Sequence, residues 1–582
     1  MKGRLILVTL LCMSSMTLIS SSSNAAVTPS LTLSTDKVRY LPNQQVYITA
    51  QISPAPTNSP ALTITQWKLG TRLGGTKVTV GPTGIVKLSW KTPNLDFQGY
   101  LITAQLSTPS LNASVGLDVS SDWGKFVRYG FLGNFGNIST TNQSTIIKNL
   151  ARYHINGLQF YDWQDSHSQP LAFSNVTNQP LTSWSDIAKR PTYLSTIKSY
   201  VNLAHSTGMK AMNYNLIMGS YAGVTGVRPQ WAVFKDSNHV TQDKHPLPSS
   251  WESDLYLLNP GNLQWQAFLV SQEKKVQTAI PFDGWHVDQL GSRGTIYDYY
   301  GRVVDLPTGY NSFLKYAKTQ LGYDIAMNAV DQFGARQIIN SQALKFAYSE
   351  LWSGHETYQS LKQVIDENSN LSSNKLSTVI AAYMNYNKAD QSGTFNEPGV
   401  LLTDAVIFAS GGSHLELGEH MLGKEYFPNA NLSMSSSLTN KLIAYYDFLT
   451  AYQNLLRDGA VEFAPTVSLS NSIPISIGDN FATNSVWTFA KSKGSVSAYQ
   501  FLNFTGVSTN AWRDTNGTQP TPTAQTNVTV TIKDSVPVKS IWLASPDING
   551  GSPTTRPFTQ TGGTVTVTMP SLAYWNMLVL QH

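Results

Sequence analysis

Between Trp123 and about Arg457, short apolar runs of strand length alternate with stretches whose apolar residues recur every three or four positions. This alternation constrains the chain most, because strands separated by helices run parallel and bury both faces of their sheet. Eight runs have the strand pattern. They are Arg128-Tyr-Gly-Phe-Leu132, Gly157-Leu-Gln-Phe-Tyr161, Met209-Lys-Ala-Met-Asn213, Gly284-Trp-His-Val-Asp288, Asp324-Ile-Ala-Met-Asn328, Phe346-Ala-Tyr-Ser-Glu350, Val379-Ile-Ala-Ala-Tyr383 and Ala405-Val-Ile-Phe-Ala409. Helical spacing is read from Tyr193 to His205, Gln264 to Gln277, Gly309 to Leu321 and Tyr358 to Glu367. The count and the length together predict a (β/α)8 TIM barrel over residues 123–458.

The flanks have a different texture. Residues 27–122 are rich in turn formers and alternate with period two, Val46, Ile48, Ala50 and Ile52 on one face and Tyr100, Ile102, Ala104 and Leu106 on another. They predict an immunoglobulin-like β-sandwich. In residues 459–582 alternation returns, with Val528, Val530 and Ile532 on one run, Val565, Val567 and Met569 on another, and a closing strand near the C-terminus. This predicts a second antiparallel β-sandwich, so the expected fold is multidomain, a central barrel flanked on both sides.

The first 26 residues have a basic start at Lys2 and Arg4, an apolar run from Leu5 to Met13 and small residues at Ser23-Asn-Ala-Ala26. That pattern predicts a secretory signal peptide and a secreted, extracellular protein. The one cysteine, Cys12, lies inside the apolar run, and cysteine avoidance points to a bacterial source. Charged residues are only 13% of the chain, and the formal charge of +5 drops by the two charges of Lys2 and Arg4 once the signal segment is removed, too little and too scattered for a nucleic-acid-tracking surface. No later stretch is long and apolar enough to span a bilayer, so no membrane partner is expected. A monomer is expected.

Functional groups gather where the predicted strands end. Tyr161, Asp162 and Trp163 follow strand two, with His167 soon after; Asn213, Tyr214 and Asn215 close strand three, and Asn328 closes strand five. His286 and Asp288 lie in strand four, Glu350 and Trp352 at the end of strand six, Asn385 and Tyr386 after strand seven, and His414 and Glu416 after strand eight. In α/β barrels the loops after the strands build the active site. The loop from Met218 to Asn259 adds Tyr221, Trp231, Phe234, Trp251 and Tyr256, of which one or two are expected to stack on sugar rings and the rest to form the loop's own core.

Asp288 and Glu350 have one strand between them, close enough for two carboxyl groups to flank a glycosidic bond at the ~5–5.5 Å of a retaining enzyme. Apolar and aromatic neighbours in Ala347-Tyr-Ser-Glu-Leu-Trp352 favour Glu350 as the acid, and Asp288 as the group that stays ionised. Two unrelated structural carboxylates are the plain alternative. A metal-dependent hydrolase would have to rest on His286 and Asp288 alone, which is a weak ligand set, so no metal and no cofactor are expected. A glycan-binding module would keep the aromatics and have no use for the carboxylates.

The chain resembles glycoside hydrolase family 66 in Phe160-Tyr-Asp-Trp-Gln-Asp-Ser-His167, Tyr214-Asn-Leu, Asp283-Gly-Trp-His-Val-Asp-Gln-Leu-Gly291, Asn328-Ala-Val, Tyr348-Ser-Glu-Leu-Trp352 and Gly411 to Leu422. The resemblance implies an extracellular enzyme of α-1,6-glucans, a dextranase or a cycloisomaltooligosaccharide glucanotransferase. It implies Asp288 as nucleophile and Glu350 as acid/base, with dextran and isomalto-oligosaccharides as partners. Tyr161, Asp162, Trp163, His167, Tyr214, His286, Asn328, Trp352, Asn385, His414 and Glu416 are then the expected sugar-binding groups. Transferases of the family carry an inserted carbohydrate-binding module after the acid/base. The stretch from Glu350 to His414 has no room for one, so a retaining endo-dextranase is the expected activity.

Overall fold

The structure is a computed structural model that describes residues 28–582. The expected signal segment lies outside the described residues. Eight short strands of the central region run parallel: β1 (Tyr129–Leu132), β2 (Gly157–Phe160), β3 (Lys210–Leu216), β4 (Gly284–Asp288), β5 (Asp324–Met327), β6 (Ala347–Glu350), β7 (Thr378–Ala381) and β8 (Gly412–His414). β1 to β5 pair in sequence order as one sheet and β6 to β8 as another. At one seam Asn328 bridges to Tyr348 in parallel, and at the other the Phe131 N–H donates to the Leu417 carbonyl at 3.1 Å. Most strand residues are buried on both faces, as the apolar runs require.

Helices alternate with these strands: α1 (Thr140–Arg152), α2 (Leu194–Thr207), α3 (Leu263–Ala279), α4 (Leu306–Leu321), α5 (Ala335–Ile339), α6 (Tyr358–Leu371), α7 (Glu397–Ser410) and α8 (Ser436–Ala451). Their ends follow local chemistry. Ser139 caps α1 by accepting the Asn142 N–H, and Thr357 and Ser360 form a reciprocal capping box on α6. Gly322 ends α4 and Gly411 ends α7 at φ 68° and 98°, the left-handed region where an L side chain is strained.

The four expected helical stretches fall on α2, α3, α4 and α6. The eighth expected strand does not exist. Ala405 to Ala409 lie inside α7, and β8 follows at Gly412. Every residue of α7 from Gly399 to Ser410 is buried, so it shows no solvent face, and the apolar run Ala405 to Ala409 within it reads like a buried strand.

The molecule is multidomain and mostly β, with several separate sheets. Before the parallel strands, sheets of three and four antiparallel strands share one core, which holds Val46, Ile48, Ala50, Ile52, Tyr100, Ile102, Ala104 and Leu106. After them, the strands Gln525–Lys533 and Thr564–Leu572 pair with Val530 opposite Val567, and a larger sheet has the last strand of the chain, Trp575–Gln581, in its interior. The N-terminal sheets press on α8 at Gly99 and Gly116, where any Cβ would meet backbone oxygens of Thr450, Ala451 or Asp447 at 2.5 Å. Only glycine allows backbones to approach that closely.

Candidate active site

At the C-terminal ends of the parallel strands lies a cavity of about 580 Å³. Its floor comes from the last residues of the strands and from the one or two that follow them, where the pleat turns alternate side chains inward. Tyr161 and Asp162 follow β2, Tyr214 and Leu216 lie in β3, His286 and Asp288 in β4, Asn328 follows β5, and Glu350 ends β6. The structure thus brings together Tyr161, Asp162, His167, Tyr214, His286, Asp288, Asn328, Glu350 and Trp352.

Asn328 stands at the centre. Its amide nitrogen is 2.9 Å from Asp288 Oδ1 and 2.9 Å from Glu350 Oε2, so these carboxylate oxygens lie within twice that distance of each other. Its own oxygen accepts the Glu350 N–H at 3.2 Å, which fixes the amide's orientation. Asp288 further accepts the Tyr214 hydroxyl at 2.7 Å and the Gln289 N–H at 2.8 Å. Glu350 further accepts the Tyr383 hydroxyl at 2.7 Å.

Burial and then the negative Asp288 push the Glu350 carboxyl up to about 7. Burial also pushes Asp288 up, while the Tyr214 hydroxyl, the Asn328 amide and the Gln289 N–H hold it back. Two acids this close do not both ionise freely, and a proton held between them stays on Glu350 where the donors to Asp288 favour its charge. Such a pair can protonate a leaving oxygen from one side and stabilise or attack a carbon from the other.

The walls mix polar and aromatic side chains. His286 stacks against Tyr129 with centroids 5.8 Å apart and meets Tyr348 edge-on, and burial holds its imidazole down to about 3, so it is neutral. Burial lowers His167 to about 4; its Nδ1 lies 3.0 Å from both Asn215 and Gln164. Asp162, at φ 48°, is pushed by burial up to about 7, against the pull of Arg190. Trp251 and Tyr426 meet at 5.1 Å over the cavity wall, while Trp231 and Phe234 are buried in the core of their own loop.

Four expected sugar-binding residues do not reach the cavity. Trp163 is fully buried behind it, its indole N–H on Asn213 and its ring against Trp184 and Phe282. His414 lies between Asp404, at 2.8 Å from Nδ1, and the Ala382 carbonyl, at 2.8 Å from Nε2. Glu416 is buried and accepts the Tyr446 hydroxyl. Along β8 and its continuation Leu415 joins the inner core, so His414 and Glu416, one position out of step, face the helices. Asn385 turns away at φ 53° and binds Asp514 of the C-terminal region.

Sequence reasoning missed Gln159, Ile187, His245, Tyr348, Tyr383, Glu425, Tyr426 and Phe427 as lining residues. Tyr383 was findable, since it shares the inward parity of Val379 and Ala381. The residues brought in by loops carry no such signal.

An acid pair at the floor of a polar and aromatic cleft, at the ends of parallel strands, defines a glycoside hydrolase. The comparisons agree: the model of glycosyl hydrolase family 66 matches residues 35–579, and the chain belongs to that family. It is 28% identical over 702 aligned residues to a cycloisomaltooligosaccharide glucanotransferase of Niallia circulans, across 94% of this chain and 72% of that protein. It is 26% identical to a dextranase of Streptococcus salivarius, across 85% of this chain and 69% of that one. A crystal structure of a Paenibacillus sp. cycloisomaltooligosaccharide glucanotransferase complexed with cycloisomaltoheptaose superposes with a TM-score of 0.87 at 25% identity, covering 94% of this chain and 99% of that one.

Proposed function

We propose that the protein is a retaining endo-dextranase, which cleaves internal α-1,6-glucosidic bonds of dextran to linear isomalto-oligosaccharides. The bridging of Asp288 and Glu350 by one Asn328 amide carries this reading, because it holds the two carboxyls at the short spacing of double displacement. Asp288 attacks the anomeric carbon while Glu350 protonates the departing oxygen. Glu350 then takes a proton from the incoming water, which releases the sugar. Tyr161, Asp162, His167, Tyr214, His286 and Trp352 hold the substrate. Neither step calls on a metal or a cofactor.

The pairing of β1 to β5 and of β6 to β8, with contacts at both seams, supports reading them as one (β/α)8 barrel over residues 123–458. The shared core of the first two sheets supports an immunoglobulin-like sandwich over residues 27–122, and the strands after 459 support a second sandwich. Residues 1–26 have the pattern of an export signal, so the reading includes a secreted, monomeric bacterial enzyme.

Hydrolysis is favoured over cyclisation by length. The alignment with the glucanotransferase runs to 702 residues against 582 in this chain, so that relative contains segments without a counterpart here. Between Glu350 and His414 the chain forms α6, β7, a short 3-10 turn, the two-residue strand Gly393–Thr394, α7 and β8, a stretch without the size of an added domain. Purified protein mixed with dextran should release reducing ends as linear isomalto-oligosaccharides. Cyclic products without reducing ends would make it a transferase, and binding without either product would make it a glycan-binding protein.

A further inference from the structure

The loop of the C-terminal region from Asn510 to Thr515 lies against the ends of β6 and β7. Tyr358 donates its N–H to the Asn510 carbonyl, Trp512 donates its N–H to Glu356, and Asn385 and Asn387 donate theirs to Arg513 and Thr515. These contacts, at 2.9–3.1 Å, come from the segments that follow β6 and β7. From this loop Arg513 reaches the strand ends themselves. One guanidinium nitrogen donates to the Leu351 carbonyl at 2.7 Å and another to the Tyr383 carbonyl at 3.3 Å. The guanidinium carbon lies 5.1 Å from the Trp352 ring centroid and 5.7 Å from that of Tyr386.

We infer that Arg513 is a positioning residue for the acid Glu350, supplied by the C-terminal region and acting through the ends of β6 and β7. This rests on the proposed roles of Glu350 and Asp288. Leu351 follows Glu350 directly, and Tyr383 donates its hydroxyl to Glu350 Oε1 at 2.7 Å. The two carbonyls that Arg513 joins therefore belong to the acid's neighbour and to the acid's hydrogen-bond donor. One planar fork thus joins both strand ends, so the backbones that carry Glu350 and Tyr383 cannot move apart without breaking a guanidinium bond. Arginine suits the task because its donors are rigid and diverge, whereas an ammonium is a single flexible point. The same guanidinium lies over the Trp352 ring, an aromatic wall of the cavity.

Glu350 is the last and smallest of the neighbours that support the Arg513 cation against burial, and by reciprocity the cation favours the Glu350 carboxylate. The other titratable groups that face Glu350 are Asp288 from β4, Tyr348 from β6, Tyr383 after β7 and Tyr161 after β2. Asp288 is negative, the tyrosines are neutral, and so Arg513 is the cation in this set. Removing it raises the proton affinity of Glu350, and the acid then loses its proton at a higher pH.

The test uses the full chain with Arg513→Met and Arg513→Lys. In the resting enzyme, the carboxyl titration of Glu350 is followed by NMR of carbon-labelled glutamate, assigned with Glu350→Gln. Arg513→Met should move that titration to higher pH and lower kcat/KM on dextran by roughly 10- to 100-fold, the scale of a misplaced reacting group. Arg513→Lys, which keeps the charge and loses the fork, should keep the titration near that of the parent and lose part of the rate. If Arg513→Met leaves the rate and the titration unchanged, or lowers only the melting temperature, the inference is overturned. Should the Met variant fail to fold, a Lys variant with the full parental rate overturns it. The titration needs no substrate, so a parent protein inactive on dextran would refute the proposed function and leave this test standing.

Discussion

Asn328 explains more of this site than either carboxylate does. An amide nitrogen has two hydrogens to give, and here each goes to a different acid, so the side chain fixes a separation and leaves neither acid without a partner. Glu350→Gln follows from this geometry as the sharpest test of roles. It should lose roughly 10²–10⁴-fold on dextran, the contribution of a positioned proton donor, yet on an activated aryl isomaltoside it should still give a fast first release of phenol. Stopped-flow and steady-state rates on the two substrates check this, and an equal loss on both would send the acid elsewhere. The pH profile follows with a definite sign. Glu350 works protonated and titrates at about 7, so the rate on dextran should fall as pH rises through that region. It should fall on the acid side as Asp288 takes a proton. A kcat/KM profile from pH 4 to 9 measures both limbs, which belong to the pair and not to either group alone. Both acids are legible in the sequence because each closes a predicted strand. His414 and Glu416 looked equally good and are not in the cavity, because one step of register turns them to the helices. Asn385 and Trp163 are lost at turns, where positive φ at Asn385 and at Asp162 breaks the strand's alternation.

At the scale of elements, α7 shows where pattern reading reaches its limit. Periodicity betrays a helix only when one face meets water, and α7 meets none from Gly399 to Ser410. It is buried among α6, α8, β8 and the C-terminal strand Val496–Asn503. The run Ala405 to Ala409 therefore has the composition of a core strand, while the true β8 is three residues of glycine, serine and histidine that advertise nothing. α2, α3, α4 and α6, each with a solvent-facing side, are legible to within a few residues for the opposite reason, although α1 has such a side as well and carries no expected helix. α7 should accordingly behave as core. Leu402→Ala should cost about 2–5 kcal/mol by transfer and cavity terms, with the surviving folded protein keeping its product pattern on dextran. Urea unfolding followed by tryptophan fluorescence measures the first, and chromatography of the products the second. A loss below about 1 kcal/mol would mean that the helix packs far more loosely than its burial implies.

Across the whole molecule, the outer sheets are built into the central region by buried polar contacts. Asp118 closes the N-terminal sheet and pairs with Arg128, just before β1, at 2.8 Å with both side chains fully buried. The other oxygen of Asp118 accepts the Gln453 amide at 2.9 Å, from the segment after α8. One carboxylate thus ties the first sheets, the first parallel strand and the end of the central region. Alternation in the sequence announced the sheets but not this junction, because a contact across 335 positions leaves no local pattern. A module on a flexible tether would unfold by itself and leave the rest alone. Here the pair predicts otherwise, because Asp118→Asn leaves the Arg128 cation buried without a counter-charge, which typically costs about 3–5 kcal/mol. The cost falls on both partners of the junction. Calorimetry of Asp118→Asn should therefore show the unfolding of the N-terminal sheets and of the central region shifting down together, and activity on dextran should be lost at the same lower temperature. A separate early transition, with the activity loss unmoved, would show that the N-terminal sheets fold and fail independently of the catalytic region.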